Sequence, residues 1–273
     1  MLIIKLYGDN ALFGLYCRIP SEYTEDRLNN VPVKCCSSSM ELVIVVRPSI
    51  EEQILDVRKE LHDLQEYPMD KFCKIIKEVG FECDMCAKCC TNEFNDHIFL
   101  LDQEVHRIRN IAPDALKPAP YFEFCDNNGT FYVSGYALQT RADGSCMFLE
   151  GGRCLIYDER PMICRLYPYM LYREADESGN VDWRQISGLN EHGCYHSDIS
   201  DEECTRIASL TKEYETEYLW HQIWFLEKVN EHFKKHHLKH VQSIYDRTMR
   251  NMKKGAKVRV MVFCNGEFEE HLL

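Results

Sequence analysis

The sequence predicts an α+β fold: a small mixed sheet, an embedded cysteine-rich module and long C-terminal helices. Three observations predict it. Short apolar strand-like runs such as "LIIKLYG" and "ELVIVVR" occupy the first 48 residues. Cysteines and turn residues crowd the middle of the chain. From Ser200 to about Lys254 there is neither glycine nor proline, over a stretch with helical periodicity.

Taken in order, "LIIKLYG" and "LFGLYCRI" flank Gly8, Asp9 and Asn10, which suit a hairpin turn, and "ELVIVVR" supplies a third strand. Ser49 and Glu52 stand at capping-box spacing, and Ile50, Ile54, Val57, Leu61 and Leu64 recur at helical intervals. A second helix runs from about Met69 to Val79 and stops at Gly80. Asp102 is placed to cap a short helix over "QEVHRIRNI" before Pro113. "TFYVSGYALQT" reads as a strand, and "YMLYRE" with "VDWRQIS" as a pair turning at Ser178, Gly179 and Asn180. Ile207, Leu210, Tyr214, Leu219, Ile223, Leu226, Val229 and Phe233 trace one face of a long helix, with a break expected near His236. The tail "KVRVMVFCNGEFEEHLL" returns to strand character and could rejoin the N-terminal sheet. The expected division is residues 1–80, the cysteine module at 81–200 and the C-terminal helices and strand at 201–273, packed as one unit.

Charge bounds the partners. Against 44 acidic residues stand 32 basic ones, a net −12, which disfavours an electrostatic grip on nucleic acid or an anionic membrane. No run approaches the roughly 18 apolar residues of a membrane span. The N-terminus has neither a basic segment nor a small-residue cleavage site, so a cytoplasmic location is expected. In a reducing compartment, the 15 cysteines are better read as metal ligands than as a disulfide framework.

Their spacing is specific. Cys83, Cys86 and Cys89 follow a Cys-x2-Cys-x2-Cys rule with Cys90 directly after, and Cys146, Cys154, Cys164 and Cys194 are dispersed downstream. Thiolates select zinc, copper(I) or iron–sulfur clusters. Three closely spaced cysteines with one remote partner favour [4Fe–4S] over a zinc ribbon, which would show two separated pairs. Adjacent side chains on extended backbone point to opposite sides, so Cys89 and Cys90 are expected to serve different centres or to leave one spare. Cys17, Cys35, Cys36, Cys73, Cys125, Cys204 and Cys264 read as small buried hydrophobes. Arg160 and Arg165 either donate toward thiolate sulfur or pair with carboxylates and backbone carbonyls. His232, His236 and His240 share a helical face if the helix runs through, but their polar setting reads as solvated surface. Tyr214, Tyr218, Trp220 and Trp224 read as packing or an interface rather than a ligand box. Asp143 and Asp158 lie near cysteines with no partner evident as general bases.

"CDMCAKCC" followed by "CMFLEGGRCLIYDERPMICRLYP" resembles the YkgJ-like CxxCxxCC cysteine-cluster family of zinc- or iron-chelating domains, over about residues 81–196. The resemblance implies that Cys83, Cys86, Cys89, Cys90, Cys146, Cys154 and Cys164 are the characteristic cysteines, with Cys194 as the later one. It implies an iron–sulfur cluster or zinc as cofactor. One branch of the family is similar to flagellin lysine N-methylases, in which the module accompanies S-adenosylmethionine-dependent methylation. Residues 1–80 and 200–273 carry no resemblance. GxGxxG, P-loop, HExxH and the Cys-x3-Cys-x2-Cys signature are all missing. Three functions stay open: a metal-binding protein with a cysteine-liganded centre, a protein lysine N-methylase-like enzyme, and a zinc-stapled module that offers its aromatic helices to a protein partner.

Overall fold

Local sequence signals set the first elements. In the computed structural model, which describes residues 33–34, 41–42, 47–92, 97–169, 173–175, 181–183 and 191–273, strands β1 (Val33–Lys34) and β2 (Glu41–Leu42) pair antiparallel. The expected hairpin around Gly8 lies outside the described residues. Helix α1 (Ile50–Glu66) starts as its capping box predicts. Ser49 Oγ accepts from the Glu52 amide at 3.2 Å, and the Glu52 carboxylate accepts from the Ser49 amide at 2.7 Å. Helix α2 (Met69–Val79) ends at Gly80, whose φ of +51° closes the left-handed cap. A Cβ there would also collide with the Ser197 backbone, so glycine is required twice over.

Strand β3 (Phe99–Leu100) leads into α3 (Asp102–Ile111). The expected cap at Asp102 is displaced by one residue. Leu101 is the N-cap, and its amide donates to the Glu104 carboxylate at 3.0 Å. Asp102 is instead the first helical residue, 3.7 Å from His221 Nδ1.

Strands β4 (Leu116–Pro118), β5 (Phe124–Cys125), β6 (Phe131–Val133) and β7 (Tyr136–Leu138) follow. The single strand expected across residues 130–140 is thus two, in different sheets. Ser134 diverts its backbone groups from the ladder: its amide donates to Glu123 and its carbonyl accepts from His221. Gly135 passes so close to Phe99 that a Cβ would stand 2.9 Å from its ring.

The cysteine module continues through the hairpin β8 (Leu149–Glu150) and β9 (Arg153–Cys154), helix α4 (Met162–Leu166), and the pair β10 (Arg173–Ala175) and β11 (Val181–Trp183). The last pair matches the expected strands, and its turn at residues 178–180 lies outside the described residues. Helix α5 (Asp201–His236), 36 residues and about 54 Å long, ends at His237 with φ +55°. Helix α6 (Gln242–Met252) then forms, so the break falls where expected. Strands β12 (Arg259–Cys264) and β13 (Glu267–Leu272) form the final hairpin.

Two sheets organise the centre: β13-β12-β6-β5, and β3-β7-β4. β12 runs parallel to β6, with Val260 opposite Phe131 and Val262 opposite Val133. The tail joins the sheet of residues 124–133, where the buried Phe131–Tyr132–Val133 segment offers it an apolar edge; the N-terminal runs it was expected to rejoin lie largely outside the described residues. The face of α5 divides its packing. Cys204, Ala208, Leu219 and Ile223 meet Leu61, Leu64, Phe72 and Ile76 of α1 and α2. Phe225, Leu226, Val229 and Phe233 meet Phe124, Tyr132 and Phe263 of the sheet. Among the described residues, no helix is long and apolar enough to cross a membrane.

Candidate metal centre

The loop after α2 is strained without glycine. Met85 (φ +56°) and Ala87 (φ +60°) both adopt the left-handed conformation, which costs an L-residue about 1 kcal/mol. The strain aims backbone N–H groups at sulfur. The Met85 amide donates to Cys83 Sγ at 3.4 Å, and the Lys88 and Gly193 amides donate to Cys86. The same amide-to-thiol turn recurs downstream, where the Phe148 amide donates to Cys146. Donors fixed on sulfur stabilise a thiolate and tune whatever it binds. Gly193 can approach only because a Cβ would strike the Phe81 ring.

Three backbone ties assemble distant segments here. Glu82 and Cys194 exchange both amide bonds, at 2.8 and 2.9 Å. The Cys146 amide donates to the Cys90 carbonyl at 2.7 Å, and Leu149 stands opposite Cys154 in the β8–β9 register. Arg141 clamps the loop between them, donating to the carbonyls of Met147 and Leu149. Helix α4, which carries Cys164, is fixed by Glu104, whose buried carboxylate accepts from the Met162 amide at 2.5 Å. Glu104 thus bonds the starts of two helices. Its position three residues after Leu101 was the sequence signal for the first bond, and no local pattern announced the second.

The result is a cavity of about 470 Å³ walled by Cys83, Cys89, Cys90, Cys146, Cys154 and Cys164, with Leu138, Phe148, Ile163, Tyr157 and Tyr167 among the other lining residues. Cys86 and Cys194 lie exposed outside that wall. None of the 12 described cysteines is in a disulfide. Cys125, Cys204 and Cys264 are buried hydrophobes, as expected, and Cys73, on α2, packs half-buried against the α1–α2–α5 core. Cys17, Cys35 and Cys36 lie outside the described residues.

At Cys89 and Cys90 the backbone differs from the extended chain assumed. The backbone at Lys88–Cys90 is a 3-10 turn, not extended chain, and the two thiols meet. A hydrogen bond from Cys90 holds the Cys89 thiol below its ordinary range, against the effects of burial and of the neighbouring Cys164, Cys83 and Cys86. The same bond, with burial, raises Cys90. Burial raises Cys164 as well, followed by its neighbours Cys146, Cys90, Glu104 and Cys154. Burial also leads the upward shift of Cys146.

Among the described residues, no three His, Cys, Asp or Glu side chains are already gathered closely enough to hold one ion. The fit to a soft metal rests on the donor set and its surroundings: six thiols on one largely apolar cavity, with amide donors aimed at Cys83 and Cys146 on its wall and at the adjoining Cys86.

The other candidates resolve cleanly. Arg160 stacks 3.6 Å over Tyr157 and donates to its carbonyl, while Arg165 donates to the carbonyls of Arg160 and Asp158. Both arginines therefore brace the chain ahead of Cys164. Asp143 closes its own turn by accepting from Ser145. His232 and His236 lie 4.5 Å apart between ring centres, but His240 falls beyond the helix end and accepts from the Cys125 amide. Tyr214 stacks on Tyr218 and Trp220 on Trp224.

Residues 82–194 match the model of the CxxCxxCC family, described as "Putative zinc- or iron-chelating domain". By that description the region is a cysteine cluster of the zinc- or iron-chelating kind, in agreement with the cofactors its spacing implies. No curated protein and no solved structure matches the chain.

Proposed function

We propose that the chain is a cytoplasmic metal protein whose cysteine cavity holds a [4Fe–4S] centre rather than zinc. The observation that carries this reading is the neighbourhood of Cys89. It lies within reach of Cys83 and Cys86 from its own loop, and the remote Cys194 is tied beside that loop through its bridge to Glu82. Three thiolates from a Cys-x2-Cys-x2-Cys loop joined by one distant cysteine is how such clusters are commonly held. The apolar wall formed by Leu138, Phe148 and Ile163 keeps water from a cluster, and the amides of Met85 and Lys88 would offset its negative charge. When bound, the cluster supplies a one-electron redox centre or a structural cross-link. The chain's part is to fix the thiolates, donate to their sulfurs and exclude solvent. Loading would turn the thiols inward from the positions they hold here.

The test is the visible spectrum of full-length protein purified without oxygen, together with its iron and acid-labile sulfide. Broad absorbance near 400 nm with equal iron and sulfide is expected. Colourless protein carrying stoichiometric zinc would overturn the reading.

A further inference from the structure

We infer that the eight cysteines form two four-thiolate centres side by side: an inner one from Cys90, Cys146, Cys154 and Cys164, and an outer one from Cys83, Cys86, Cys89 and Cys194. This deepens the proposed metal-binding function and rests on it, but not on the choice between iron and zinc. The backbone draws the division. The inner four sit on elements tied to one another. Cys146 bonds the Cys90 carbonyl, and Cys154 lies on the β-hairpin whose Leu149 amide bonds the Cys146 carbonyl at 3.0 Å. Cys164 stands on α4 with Cys146, Cys90 and Cys154 as its neighbours. All four line the cavity and are partly buried.

The outer four belong to a different tie. Cys83, Cys86 and Cys89 share the strained loop. Cys194 lies on the segment that pairs with Glu82, the residue before Cys83, and Gly193 donates to Cys86. Cys83, Cys86 and Cys194 are exposed. The two groups meet at the 3-10 turn, where Cys89 and Cys90 touch and where Cys89 also neighbours Cys164.

Coordination chemistry agrees with the split. A structural tetrahedral site closes at four thiolates, and a four-iron cluster also takes four. Eight cysteines carried on segments tied to one another exceed the need of either.

The test uses metal-free full-length protein titrated without oxygen with cobalt(II) alone, read by its thiolate-to-metal absorbance. Two equivalents are expected, falling to one in Cys146→Ser/Cys154→Ser and to one in Cys83→Ser/Cys86→Ser. Circular dichroism at 222 nm, dominated by α5, confirms that each variant is folded. One equivalent in the unsubstituted chain overturns the inference whatever the variants do, as does a folded pair variant that loses all binding. The outcome is separable from the metal's identity. Two cobalt equivalents in a chain purified with zinc would keep both centres and remove the iron–sulfur reading, whereas a single four-iron cluster in a chain that takes one cobalt would do the opposite.

Discussion

The long helix and the cysteine module are held together by different means. Along α5, buried side chains meet two cores, and Ile223, Phe225 and Val229 are wholly enclosed. In residues 82–194 the strands are two or three residues long, too short to be stable alone. Apart from the buried Cys125, the cysteines there are half-buried or exposed. Single backbone bonds, an arginine clamp and one buried glutamate position the module. Apolar burial also holds the strands and α3 inside residues 82–194, where Phe99, Val105, Ile108, Phe131 and Val133 are enclosed, but the cysteine-bearing loops beside that core are arranged around sulfur, and a bound centre would tie them together.

The contrast can be broken from either side. Phe225→Ala should cost the most, about 3–5 kcal/mol, because the ring is fully buried between Phe124 and Phe263. Urea unfolding reads that loss, and metal content per folded chain should stay constant. A parallel loss of metal would mean that the two regions are one cooperative site. The next pair of variants differs in kind. Cys204→Ala, within the α1–α2–α5 core, should cost about 1 kcal/mol and leave metal untouched. Cys86→Ser, at an exposed thiol, should barely change the melting of the helices yet lower metal content. The reverse pattern refutes the division between cysteines that pack and cysteines that ligate.

The remaining effect lies beside the sheet and is read only through pH. Burial pushes the Glu123 carboxyl up to about 7, against hydrogen bonds from Ser134 and the charge of Arg47. Between the ordinary value of 4.5 and about 7, the folded chain keeps a proton that the unfolded chain has released. This contribution to stability is therefore complete below 4.5 and declines as pH rises to 7. Glu123→Gln should flatten that part of the pH–stability curve, as measured by urea midpoints. An unchanged slope would show that the carboxyl is ionised throughout.

Signals confined to one segment were legible in the sequence. The Ser49 capping box, the Gly80 stop and the break after His236 each depend on a few neighbouring residues, and each appears where its chemistry puts it. What escaped depends on partners far along the chain. The strand across residues 130–140 divides because His221 and Glu123 capture the backbone of Ser134. Val260 and Val262 could not declare in sequence that they would lie beside Phe131 and Val133. At the site, the cysteine spacing pointed to the region that the zinc- or iron-chelating family model covers. It could not show the 3-10 turn that brings Cys89 and Cys90 together, nor that Gly193 would donate to Cys86. Arg160 and Arg165 had two readings in sequence; their carbonyl contacts give both a bracing role, and the charge of Arg160 also reaches Cys90.

The central claim is that the metal is held by sulfur in this cavity. Metal-edge X-ray absorption on full-length protein purified without oxygen tests it most directly. The account predicts a first shell of sulfur alone at about 2.3 Å. A shell of nitrogen or oxygen at about 2.0–2.2 Å would contradict it.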